Sequence, residues 1–246
     1  MTNQVIVING AGGALGGALA AHYAARPDTD LVLSDVSEGS LRATLDGLPD
    51  HAGAVEWLLA DVGDEAQVAA VVSRAVDRFG VVDALISNAG VLSPNGRIHN
   101  LATEDWERAF RINVLGAVNS IKAAVPVMRS QGSGSIVLTA SVSGLTAWSH
   151  AAPYCATKAA VIQLAKVAAV EYARDGIRVN CVCPGTFESA IHATLPPEAI
   201  ATIAARHPLG LGSVDQLTGA YDYLTSEASR WTTGTALVVD GGYSAP

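Results

Sequence analysis

Cysteine is scarce in this sequence: it occurs three times, as Cys155, Cys181 and Cys183. An odd number without framework spacing argues against a disulfide-stapled secreted fold and suits a reducing compartment. On a strand Cys181 and Cys183 point the same way, as small buried apolar side chains would. Histidine is scattered, at 22, 51, 99, 150, 192 and 207, with no HxxxH and no Cys-His pairing, so no zinc or other metal site is expected. Basic residues are outnumbered, 15 against 23 acidic, for a formal charge of -8, and no Lys/Arg run occurs. That argues against a nucleic-acid or anionic-membrane surface and leaves small molecules as the expected partners. The start "MTNQVIVINGAGG" lacks a basic leader, and Lys, Arg or Glu interrupts every later apolar run before it reaches membrane-spanning length. A soluble cytoplasmic protein is expected.

What is present is apolar and small. Hydrophobic residues make up 50% of the chain and charged ones 15%, the balance of a globular protein. A length of 246 residues allows one large α/β domain or two small ones. Short β-rich runs fall at 4–8, 30–35, 54–60, 82–87, 134–140, 177–183 and 236–240, separated by helical patterns near 14–26, 38–46, 64–79, 104–129, 154–174 and 214–228. The strands are continuous apolar runs, as a parallel sheet covered on both faces requires. The reading is α/β: a single Rossmann-like, doubly wound domain over 1–246, a seven-stranded parallel sheet with helices on both faces. The long strand-free interval 184–213 holds four of the ten prolines and follows a strand end, so it is expected to form a substrate lid.

The first strand runs into "NGAGGALGG". Glycines between a strand and a helix let the backbone approach a pyrophosphate and present helix N-terminal N–H groups to it. Walker A Gly-Lys-Ser/Thr is missing and a strict GxGxxG fails at Leu15; the spacing that fits is Gly10-xxx-Ala14-x-Gly16, with Gly12 and Gly13 between. Asp35 ends the second strand nineteen residues after Gly16. A carboxylate there accepts hydrogen bonds from the adenosine ribose and repels a 2′-phosphate, so NAD (NAD+/NADH) is expected in preference to NADP. The plainer alternative for Asp35 is an N-cap for the next helix.

Polar and glycine residues cluster at later strand ends, in "SNAG" (87–90), "TASVS" (139–143) and "CPG" (183–185). Within the apolar run "APYCATKAAVIQLAKVAAV", Tyr154 and Lys158 lie four apart, on one face of a helix, with Cys155, Ala156 and Thr157 as spacers; Ser141 precedes Tyr154 by thirteen residues. Together these residues resemble the short-chain dehydrogenase/reductase family, single-domain branch, over essentially the whole chain. The matching positions are Asn9, Gly10, Ala14, Leu15 and Gly16 in the glycine turn; Asp61, followed by Val62, as the adenine-contacting acid; Asn88, Ala89 and Gly90 after the fourth strand; Asn113 in "FRINVLG"; Ser141; Tyr154-xxx-Lys158; and Pro184-Gly185, with Thr186 and Phe187 following.

The resemblance implies catalysis by Asn113, Ser141, Tyr154 and Lys158. A phenol with a pKa of about 10 is a poor base at neutral pH. The Lys158 ammonium and an oxidised nicotinamide would favour phenolate at Tyr154, Lys158 would also hold the nicotinamide ribose, Ser141 would polarise the substrate oxygen, and Asn113 would order a proton-relaying water. The chain departs from the family at Asn9 (usually Thr), Ala14 (usually Gly) and Ser189, which keeps a hydroxyl where a carboxamide-contacting Thr is common; "PLGLG" (208–212) lacks that loop's usual Arg. Expected substrate contacts are Ser141, Val142, Ser143, Trp148, His150 and Phe187, which suggest an apolar or aromatic alcohol or ketone. The helix after Tyr154, apolar nearly all round, implies a homo-oligomer, with the family's common homotetramer the expectation. The alternatives are an NADPH-dependent 3-oxoacyl-(acyl-carrier-protein) reductase and a non-catalytic dinucleotide sensor.

Overall fold

The computed structural model describes residues 3–50, 53–188 and 197–245. Seven strands, β1 (Gln4–Asn9), β2 (Thr29–Asp35), β3 (Val55–Leu59), β4 (Ala84–Ser87), β5 (Gly134–Thr139), β6 (Ile177–Pro184) and β7 (Ala236–Val239), form one sheet in the order β3-β2-β1-β4-β5-β6-β7. Every pairing is parallel. The helices are α1 (Ala14–Ala24), α2 (Glu38–Asp46), α3 (Glu65–Phe79), α4 (Thr103–Phe110), α5 (Gly116–Gln131), α6 (Ala152–Tyr172), α7 (Pro197–Ala204) and α8 (Asp215–Thr225).

Side chains alternate across a strand, so one apolar run feeds two cores. Val5 and Val7 of β1 pack with α3, α5 and α6, while Ile6 and Ile8 pack with α1, α2 and α8. Each fully buried Val, Leu or Ile contributes about 1.5–3 kcal/mol. Cys181 and Cys183 share the first of these cores, as their spacing predicts. The expectation of strands covered on both faces fails at the sheet edge: β3 leaves Trp57 and Leu59 partly exposed. The Arg42 guanidinium lies over the Trp57 ring at 5.1 Å and shields part of it.

Helix boundaries follow local chemistry. Asp64 caps α3, its Oδ1 accepting from Ala66 N–H at 2.9 Å, and Gly80 ends the helix at φ 81°. The helix expected over 104–129 is broken into α4 and α5 by a π turn, Arg111–Leu115, that carries Asn113. Such turns aim a side chain that a regular helix would direct elsewhere. The strand order reverses between β1 and β4, which opens a crevice beyond their carboxyl ends.

Candidate active site

Two adjoining cavities, of about 240 and 310 Å³, occupy that crevice and share Gly13, Asn88, Gly90 and Val91. The smaller is bounded by the β1–α1 turn, Asp35, Asp61 and Val62, with Ala89 in its floor. Gly10 has φ +74°, and a Cβ there would come within 2.6 Å of the Ala89 backbone. At Gly16 a Cβ would collide with the Gly10 carbonyl oxygen, so α1 can start this close to β1 only with glycine. Gly13 occupies the N-cap of α1 without a side-chain cap, leaving the first N–H groups facing the crevice. Ala14 and Leu15 line the larger cavity.

Asn9, where the family usually has Thr, does not bond within the turn. It is buried beneath it, accepting from Ser34 Oγ at 2.7 Å and donating to Ser120 Oγ at 3.0 Å. Asn88 braces the turn instead, donating to Gly10 O at 3.0 Å and accepting from Thr139 Oγ1 at 3.2 Å.

The Asp35 carboxylate accepts from Gly12 N–H and Ser37 N–H, both at 2.9 Å. A carboxylate has about four lone-pair sites, so it keeps capacity for further donors. Ser37, not Asp35, caps α2, accepting from Ser40 N–H at 3.3 Å. The nearby cation Arg42 is engaged by Glu38 at 2.8 Å. Asp61 accepts from Gly63 N–H at 2.8 Å and pairs with Arg111 at 2.8 Å, and the Arg111 hydrogen bond holds its carboxyl below the usual carboxylate range. Arg111 lines the smaller cavity, and its cation, fifty residues from Asp61, has no local sequence signature.

The larger cavity holds the reactive groups. Ser141, Tyr154 and Lys158 all line it. Ser141 caps a 3-10 turn, Val142–Gly144, accepting from Ser143 N–H at 3.1 Å and donating to Ser143 Oγ at 3.2 Å, and lines the cavity together with Tyr154. Gly144 makes this possible: a Cβ there would lie 2.7 Å from the Lys158 carbonyl carbon. Lys158 is buried, donates to Thr139 O at 2.8 Å, and has its Nζ 5.7 Å from the Tyr154 ring centroid. Burial draws its pKa down to about 8, against the opposing influence of the Cys183 and Cys181 sulfurs. Burial raises the Tyr154 pKa, with the Ser141 side chain opposing. The protein alone therefore does not supply the depression expected at Tyr154.

The Asn113 side chain is fully engaged by the protein. Oδ1 accepts from Val91 N–H at 2.8 Å, while Nδ2 donates to Val91 O and Thr157 Oγ1, both at 3.0 Å. Thr157 Oγ1 in turn donates to Tyr154 O at 2.8 Å, so this spacer is a structural tie. Gly90 keeps open the space between Asn113 Oδ1 and Lys158 Nζ, each 3.3 Å from where a Cβ would sit.

Val91, Leu92, Val142, Trp148 and Phe187 form the apolar wall, with Pro184, Gly185 and Thr186 along the end of β6. Two of the expected substrate contacts, His150 and Ser143, do not line this cavity. His150 is exposed at φ 68°, bonded to Ser149 Oγ at 2.8 Å, and Ser143 is buried behind Ser141. Ser189 lies outside the described residues. Within the expected lid, Phe187 bridges to Gly212 and α7 forms a short helix. Sequence reasoning missed Val91, Leu92, Thr139, Thr157 and Arg111, which carry no motif of their own.

A nicotinamide dinucleotide fits these residues. The glycine turn leaves room that a Cβ would fill, and the buried Oγ1 of Thr186, a residue lining the larger cavity, has no hydrogen-bond partner among the described residues. A phenol, an ammonium and a hydroxyl at one end of such a crevice define a dinucleotide-dependent oxidoreductase.

Comparison with known proteins agrees. A family model described as enoyl-(acyl carrier protein) reductase matches residues 10–244. The chain is 38% identical over 243 residues to cis-4-hydroxycyclohexanecarboxylate dehydrogenase of Sinomonas cyclohexanicum, covering 98% of this chain and 97% of that one. It is 31% identical over 245 residues to 2,5-dichloro-2,5-cyclohexadiene-1,4-diol dehydrogenase of Sphingobium indicum, covering 99% and 97%. The crystal structure of levodione reductase superposes with a TM-score of 0.91 at 31% identity, covering 100% of this chain and 99% of that one. The chain belongs to the short-chain dehydrogenase/reductase family. It is an oxidoreductase of CH–OH groups that uses a nicotinamide cofactor on small alcohols and ketones. No helix among the described residues is long and apolar enough to cross a membrane.

Proposed function

We propose that the protein interconverts a ring-shaped secondary alcohol and its ketone with NAD as the preferred cofactor. The observation that carries this reading is the larger cavity, where Ser141, Tyr154 and Lys158 share the lining with an apolar wall of Val91, Leu92, Val142, Trp148 and Phe187. Such a wall suits a carbocycle, and two relatives are named for cyclohexane- and cyclohexadiene-based alcohols.

The nicotinamide, when bound, accepts or returns the hydride. Gly10, Gly12, Gly13, Ala14, Leu15 and Gly16 would hold the pyrophosphate side; Asn9 and Asn88 hold their turn; Asp35 would bind the ribose; Asp61 and Val62 would bound the adenine; Ala89 and Gly90 would form the floor; and Pro184, Gly185, Thr186 and Phe187 would bound the nicotinamide. Ser141 donates to the substrate oxygen, and Tyr154 gives or takes its proton. A positive charge beside Tyr154 offsets the penalty that burial imposes on phenolate. Lys158 relays the proton through the space beside Gly90, and Asn113 fixes the helix turns on either side.

NAD is preferred because Asp35 presents negative charge where a 2′-phosphate would sit, and Arg42 is engaged by Glu38. The chain works as a single domain in which Phe187, within the 184–213 interval, borders the substrate cavity. Val167 and Val170 stand exposed on α6, a helix whose other face is in the core, and they support a homotetramer, tested by light scattering. The free thiols Cys155, Cys181 and Cys183 fit a reducing, cytoplasmic setting.

The test is a screen, followed by NADH absorbance, of cyclohexanols, aryl alcohols, linear diols and 3-oxoacyl thioesters and their redox partners with both cofactors. Ring alcohols or ketones with NAD(H) are expected to be the best substrates. A clear preference for 3-oxoacyl thioesters with NADPH would overturn the reading in favour of the acyl-carrier-protein reductase.

A further inference from the structure

Trp148, a wall of the larger cavity, sits on a loop that does little to hold it. Its neighbours Ala147, Ser149 and His150 are all exposed, and its own ring is half-buried. What fixes the indole is remote in sequence: Nε1–H donates to the Tyr243 hydroxyl at 2.8 Å. Tyr243 is itself rigidly placed. Asp240 caps the turn that carries it, accepting from Gly242 N–H at 2.9 Å and from Ser244 N–H at 2.8 Å, and Gly242 adopts φ 88°.

The Tyr243 ring packs on two residues that follow α7. Its centroid lies 4.8 Å from that of His207 at a tilt of 34°, and the Arg206 guanidinium lies 4.9 Å from the ring centre. His207 is buried, and its Nε2 accepts from Thr186 N–H at 3.1 Å, which leaves Nδ1–H to donate to Ile203 O at 2.9 Å. Both ring nitrogens of the neutral imidazole are used. Thr186 lines the same cavity as Trp148. A single indole–phenol hydrogen bond thus links the Trp148 wall to the segment after α7 and to the end of β6.

We infer that Tyr243 is a positioning residue for specificity: by holding the Trp148 indole it sets the width of the substrate cavity and favours ring substrates over small linear ones. This rests on the reading of Trp148 as a substrate wall. Tyr243→Phe keeps the ring, its stacking and its contact with Arg206, and removes only the hydroxyl that receives the indole proton.

The experiment pairs kinetics with a direct view of the indole. Cyclohexanone and acetone are reduced with NADH, and the indole N–H resonances of isotope-labelled protein are recorded, with the Trp148 signal assigned by its loss in Trp148→Phe. In Tyr243→Phe the KM for cyclohexanone is expected to rise about three- to tenfold, the range one net hydrogen bond supplies, with kcat and the KM values for acetone and NADH unchanged. The Trp148 indole signal is expected to shift and its proton to exchange faster. In a Trp148→Phe background Tyr243→Phe is expected to add nothing. An unmoved indole signal, or equal losses on both ketones, would overturn the proposal. If the wild type reduces neither ketone, the ring-substrate reading fails, and the indole signal alone decides the role of Tyr243.

Discussion

The amide of Asn113 donates to the Thr157 hydroxyl across 3.0 Å, joining the π turn between α4 and α5 to the turn of α6 that carries Tyr154 and Lys158. Both partners are buried, so removing either strands the other away from water.

Asn113→Ala and Thr157→Val should each cost about 1–3 kcal/mol of stability and lower kcat, and the double variant should cost little more than Asn113→Ala alone. Urea midpoints and steady-state rates check this. Fully additive losses would show that the two side chains act separately.

Gly144 permits the approach of the Ser141 turn to α6, where a Cβ would lie 2.7 Å from the Lys158 carbonyl carbon. Gly144→Ala should push Ser141 away from Tyr154, lowering kcat at least about tenfold while the dinucleotide Kd stays within about twofold. Unchanged kcat would mean that the turn can relax without moving Ser141 relative to Tyr154.

Lys158 links stability to pH. Burial lowers its pKa to about 8 from the 10.5 of a free lysine. Between those values the unfolded chain holds a proton that the folded chain has released, so folding gains as pH rises through this window. Below it both states are protonated and the burial penalty is constant. The urea midpoint of the wild type, relative to that of Lys158→Met, should therefore climb from pH 8 to pH 10.5. A flat difference would place the folded lysine at its ordinary value.

Asp35 accepts from Gly12 N–H at 2.9 Å, and the nearby cation Arg42 is held by Glu38. Asp35→Ser should narrow the NADH-over-NADPH ratio in kcat/KM by about 10- to 100-fold, equivalent to about 1.4–2.8 kcal/mol. A wild type that already favours NADPH would reverse the assignment.

Much of this architecture is legible in the chain because parallel strands and glycine turns write local patterns. The alternation of Val5 and Val7 against Ile6 and Ile8 declares a sheet covered on two sides, and Gly10 is required by its backbone conformation. Tyr154 and Lys158 are readable because one helical turn separates them. The pairing of Asp61 with Arg111 and the bond from Trp148 to Tyr243 are not, because they join residues 50 and 95 positions apart with no periodic signature. His150 misleads for a local reason: at φ 68° its backbone turns the side chain outward, although its neighbour Trp148 faces the cavity. The Asn113 side chain was read from its position alone, whereas the π turn decides where it points.

The most direct measurement is dinucleotide binding and turnover by Tyr154→Phe, with a ring alcohol or ketone found in the screen. Tyr154 lines the cavity with Ser141, and removal of its hydroxyl leaves the glycine turn, Asp35 and Lys158 in place. The account predicts a Kd for NADH close to the wild-type value and a kcat reduced by about 10²- to 10⁴-fold, the share that a positioned acid–base contributes. Wild-type kcat in a variant that binds NADH normally would contradict it.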